Sequence, residues 1–148
     1  MDAVKHKTGS FSNQYLADAD LQGLILQFYK QNFWDKVHGD EIPDQLIAEE
    51  LFDTAVNMGV GRAAEFLQKA LNVLNRNGKT YNDIPVDRAI GKMSIAALHL
   101  CLKTRGAAML YKVLNLLQGA YYLEIMQKDP SQEAFAGGWL SRVEINKS

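Results

Sequence analysis

Apolar residues recur along this 148-residue chain at three- and four-residue spacing, and no segment alternates apolar with polar side chains over a useful length. A period near 3.6 buries one stripe of a helix, whereas a half-buried strand needs a period of two. The pattern therefore predicts an all-α domain. Leu21, Leu24, Ile25 and Phe28 mark a first helix, opened by Asp18 or Asp20 and running towards Trp34. His38-Gly39-Asp40-Glu41-Ile42-Pro43 reads as a turn, with Pro43 suited to the first turn of a second helix. That helix carries Leu46, Ile47, Phe52, Ala55 and Val56 and should stop at Gly59. A third starts near Gly61 and aligns Ala63, Phe66, Leu67, Ala70, Leu71 and Leu74, until the turn formers of Asn75 to Asp83 close it. A fourth spans about Lys92 to Lys103. The fifth, from Gly106 to Lys128, is strongly apolar through Met109, Leu110, Val113, Leu114, Leu117, Tyr121 and Ile125. Asp129-Pro130 ends it, and a short sixth helix runs from Ser131 to about Val143. Residues 1–17 read as a loose arm, and 18–148 as a single domain of about six helices.

The charge balance excludes several functions. Sixteen Lys and Arg face seventeen Asp and Glu, for a net charge of −1, which argues against a nucleic-acid binder held by phosphates. Cys101 is the lone cysteine, so neither an intrachain disulfide nor a cysteine zinc site can form. Met1 to Asn13 is polar and lacks the apolar stretch of a secretory signal, so synthesis in the cytoplasm is the expectation. No apolar run approaches 18 residues, so no membrane-spanning helix is expected.

Asp53 and Asn57 sit one helical turn apart in Leu51-Phe52-Asp53-Thr54-Ala55-Val56-Asn57-Met58-Gly59. A carboxylate in an apolar helix needs donors, and an amide one turn away is a suitable neighbour. The pair reads equally as a polar-ligand site or as an internal cap on another element. Glu49 shares a face with Asp53, and paired carboxylates suit glycosidic hydrolysis, yet two acids one turn apart more often form a solvated edge. Gly59-Val60-Gly61 has the skeleton of a dinucleotide loop, but a helix precedes it where that loop needs a strand, so it reads as a helix–helix turn. His6, His38 and His99 are too scattered for a metal motif; His99 and Cys101 read as core residues of the fourth helix. Two aromatic groups stand out, Phe28-Tyr29 with Phe33-Trp34, and Tyr121-Tyr122 with Trp139. Phe28 and Phe33 read as core, while Trp34, Tyr122 and Trp139, each beside polar residues, fit either packing or stacking on sugar rings.

Three blocks resemble glycoside hydrolase family 108. Phe28-Tyr29-Lys30-Gln31-Asn32-Phe33-Trp34-Asp35 is similar to the family's Tyr-x-x-x-Tyr-Trp segment. Ile42-Pro43, then Phe52-Asp53-Thr54-Ala55-Val56-Asn57-Met58-Gly59, then Leu67-Gln68-Lys69-Ala70-Leu71 resembles its most specific stretch. Asp87-Arg88-Ala89-Ile90-Gly91 and Gly138-Trp139-Leu140-Ser141-Arg142 resemble the opening and close of the associated peptidoglycan-binding segment. The resemblance divides the domain into a family-108-like core, 18–75, and peptidoglycan-binding-like helices, 85–145.

It implies a lysozyme-like helical fold and hydrolysis of the β-1,4 bond between N-acetylmuramic acid and N-acetylglucosamine. No metal or organic cofactor is implied. The partners it implies are peptidoglycan glycan strands; such proteins are found in phages and bacteria, are labelled secretion activators, and leave the cytoplasm by a holin-type route. Asp53 and Asn57, with Trp34 and Trp139, are then the expected substrate contacts. Family members open with a Glu-Gly-Gly helix whose glutamate is taken as the catalytic acid. Met1 to Ala17 contains no glutamate, so that role passes to no position, and Asp53 is the first candidate to replace it. A member without that helix would be inert unless another carboxylate serves. It would also expose apolar surface, which a homo-oligomer would cover.

Overall fold

A computed structural model describes residues 19–144. The arm assigned to 1–17 lies outside them, as do Asp18 and residues 145–148. Among the described residues there are six α-helices and no strand: α1 (Ala19–Tyr29), α2 (Gln45–Met58), α3 (Val60–Val73), α4 (Lys92–Thr104), α5 (Ala107–Lys128) and α6 (Ala136–Leu140). The expected all-α fold is the one formed.

Helix α1 does not stop at Tyr29. It widens into a π-helical turn, Lys30–Trp34, with Asp35 N–H reaching back to Lys30 O at 2.8 Å. The wider turn rotates Phe33 and Trp34 onto the core. His38, in the left-handed region at φ 58°, then redirects the chain into a 3₁₀ turn, Gly39–Glu41. Helix α2 opens two residues later than Pro43 suggests. Asp44 is its cap, with the carboxylate accepting from Ile47 N–H at 3.1 Å, so Pro43 lies just outside the first turn. Gly59, at φ +98°, is the single residue between α2 and α3, and Gly106, at φ +90°, joins α4 to α5. Both conformations are costly for any residue with a Cβ.

One core joins the helices. Ile47, Ala48, Leu51 and Ala55 of α2 meet Ala63, Ala64, Leu67 and Leu71 of α3, Leu98 and Cys101 of α4, and Leu110 and Leu114 of α5. Burial lifts the Cys101 thiol above its ordinary pKa, as suits a small core residue. Two expectations change. His99 is exposed, its Nε2 3.4 Å from Glu41 O, because it lies off the Ala97–Leu98–Cys101 stripe of α4. Phe28 is 53% exposed and packs edge-to-face on Tyr29 and Phe33 at the surface.

The passage from α3 to α4 is held by amides. Gln68 and Asn72 on α3, and Asn75 just past its end, follow one another four and three residues apart. Asn72 donates to Ile84 O and accepts from Ile84 N–H, both at 2.8 Å. Asn75 bonds the Asp83 carboxylate and Gly78 N–H. Gln68 donates to Asp87 Oδ1 (2.8 Å), Ala89 O (3.0 Å) and Ser94 Oγ (3.2 Å), and accepts from Arg88 N–H (3.0 Å). A loop that looks structureless in sequence is thereby fastened residue by residue. Among the described residues no helix is long and apolar enough to cross a membrane.

Candidate functional site

A surface depression lies along α2, walled by Trp34, Leu46, Glu49, Glu50, Phe52, Asp53 and Tyr111. Trp34 forms one side. Its indole N–H donates to Asp40 Oδ1 at 2.8 Å, and its ring meets Phe52 edge-on at 5.9 Å. Behind it the backbone of Gly39 comes so close that an added Cβ would fall 2.1 Å from Trp34 Cε2. Gly39→Ala should therefore push the indole out of position and destabilise the protein by about 1–3 kcal/mol, the usual cost of overpacking. Intrinsic fluorescence should report the displaced tryptophan; an unchanged spectrum and melting temperature would show that the ring adapts.

The carboxylates differ in kind. Glu49 and Asp53 are exposed at the mouth, whereas Glu50 is only 9% exposed and its Oε2 has no hydrogen-bond partner. Desolvation first, then the negative charges of Asp53 and Glu144, pushes the Glu50 carboxyl up to about 8. The same two α2 carboxylates, Asp53 and Glu50, raise Tyr122 on α5, where burial is the main cause. Sequence reasoning singled out Glu49 and Asp53 but passed over Glu50. The signal was present: Ile47, Glu50, Leu51 and Thr54 share one helical stripe, and all four are buried.

The other expected site residues are placed as follows. Asp53 and Trp34 line the same depression. Asn57 lies exposed one turn further along α2, and its amide donates to the Asp53 backbone carbonyl at 2.9 Å rather than to its carboxylate. Trp139 stacks on Tyr122 at 5.0 Å and on Phe135 at 5.4 Å, outside the residues that wall the depression. Among the described residues, no three His, Cys, Asp or Glu side chains are grouped to hold a metal.

The family model Glycosyl hydrolase 108 matches residues 4–59, which include α2 and the Trp34 turn, and the model Predicted Peptidoglycan domain matches residues 62–144. No curated protein matches the chain. The solved structure of Brucella abortus SagA is similar, with a TM-score of 0.61 and 25% identity over 82% of this chain. The match takes in 58% of the SagA chain, so this sequence spans little more than half its length. The chain belongs to the Predicted Peptidoglycan domain family, joined here to a glycosyl hydrolase 108 segment.

Proposed function

We propose that this protein is a peptidoglycan hydrolase of the N-acetylmuramidase type, binding glycan strands across α2 and cleaving the β-1,4 bond after N-acetylmuramic acid. The observation that carries the reading is the depression itself. It sets an aromatic wall, Trp34 and Phe52, against the carboxyl groups of Glu49, Glu50 and Asp53, inside the segment matched by the glycosyl hydrolase 108 model. Sugar rings present apolar faces to aromatics and hydroxyls to carboxylates, and glycosidic cleavage needs acidic side chains on either side of the bond.

The test is release of reducing ends from purified peptidoglycan. Asp53→Asn keeps the shape of the mouth and removes its charge, so release should fall by about 10²-fold with binding retained. Equal release by the native chain and the variant would remove Asp53 from the site. A second reading, an inert murein-binding domain, is favoured by the extent of the Predicted Peptidoglycan domain match over 62–144. Its signature is retention on peptidoglycan with no reducing ends formed.

A further inference from the structure

We propose that Glu50 is the proton donor of this site, the acid that protonates the leaving oxygen as the glycosidic bond breaks. The inference rests on the hydrolytic reading above and goes beyond it, because no motif assigns this residue a role.

Three features carry it. Glu50 is nine-tenths buried yet forms part of the wall of the depression. Its Oε2 is sealed from solvent and has no hydrogen-bond partner, so charge placed on that oxygen would be left unsolvated. The groups acting on it are also of the wrong sign to hold a charge. On its own helix stands Asp53, and from the carboxy-terminal segment comes Glu144; the neutral phenols of Tyr111 and Tyr122 on α5 are raised first by burial and further by the Glu50 charge. Burial first, then the charges of Asp53 and Glu144, pushes the Glu50 carboxyl up to about 8, so it keeps its proton through neutral pH. An acid held neutral beside an exposed carboxylate is the division of labour that glycosidic hydrolysis uses.

The Glu50 proton passes to the bridging oxygen, and the bond from that oxygen to the anomeric carbon breaks with its electron pair leaving on oxygen. Water adds to the anomeric carbon, and the proton it sheds goes to the Asp53 carboxylate. Exchange with solvent then restores both side chains.

The experiment compares the full chain with Glu50→Gln on purified peptidoglycan, scoring reducing ends and retention on the insoluble glycan separately. Gln matches Glu in shape and cannot donate a proton of comparable acidity. Release should fall by about 10²- to 10⁴-fold with retention unchanged. A dinitrophenyl glycoside of the murein disaccharide, whose leaving group needs no protonation, should be cleaved almost as well by the variant as by the native chain. A purely structural Glu50 would depress both substrates alike. The native chain supplies a measurement that needs no variant: its kcat/KM should decline about tenfold per pH unit once Glu50 loses its proton. Release by Glu50→Gln within twofold of native, or a native profile flat to pH 10, would overturn the role of Glu50 and leave the hydrolase reading standing. Retention without release by the native chain at every pH would overturn the hydrolase reading, and the role of Glu50 with it.

Discussion

Glu50→Gln should be as stable as the native protein near pH 4.5 and increasingly more stable than it as pH rises to about 8. A carboxyl in the unfolded chain releases its proton near pH 4.5, but in the folded protein it holds it up to about 8. Between those values the folded state binds one proton more than the unfolded state, so native stability falls as pH rises. The slope from this one group is on the order of 1 kcal/mol per pH unit, amounting to a few kcal/mol across the window. Gln carries no such proton and loses nothing. Urea midpoints measured at intervals from pH 4.5 to 9 should diverge in this sense. Parallel curves would mean that the Glu50 carboxyl is solvated in the folded protein. A residue whose removal strengthens the fold above neutrality while lowering turnover has the profile expected of a functional strain.

The second large effect is expected at Gln68. Gln68→Ala should destabilise the protein by about 3 kcal/mol and lower its melting temperature by on the order of 10 °C. The side chain is 1% exposed and makes four hydrogen bonds across the α3–α4 junction. Alanine would leave the Arg88 N–H and the Ala89 carbonyl without their partner and open a space between α3 and α4. The Asp87 carboxyl, held below its usual range first by its bond to Gln68, would also rise. Limited trypsin digestion gives a local check, because loosening the loop should expose cleavage after Arg76, Lys79 and Arg88 before the helices open. A loss under about 1 kcal/mol, with no new cleavage, would show that water replaces the amide.

The two substitutions separate what was legible in the chain from what was not. Helix positions followed from apolar spacing for the first five helices, because a 3.6-residue period in the side chains has one structural meaning; the sixth, expected from Ser131 to about Val143, forms instead as a 3₁₀ segment, Pro130–Phe135, followed by the five-residue α6. Of the four expected substrate contacts, the structure sets Asp53 and Trp34 around one depression, while Asn57 and Trp139 lie outside its walls. His99 and Phe28 were misread as core. Both have apolar neighbours in sequence, but burial depends on which helix faces them, and the facing helices leave them at the surface.

Glu49 and Glu50 mark the boundary most sharply. They are adjacent, chemically identical and about 100° apart round the helix, so the sequence determines that one of them turns inward with Ile47 and Leu51. What that burial does to the carboxyl was decided by tertiary structure alone: by α5 closing over it with Tyr111, and by Glu144 arriving from the far end of the chain. The amide ladder of Gln68, Asn72 and Asn75 is similar, its spacing visible in the sequence and its partners found only where the loop folds back. Local periodicity chooses helices because its cause lies within one turn. Charge, desolvation and hydrogen-bond partners are set by residues distant in sequence, and only the packed fold brings those together.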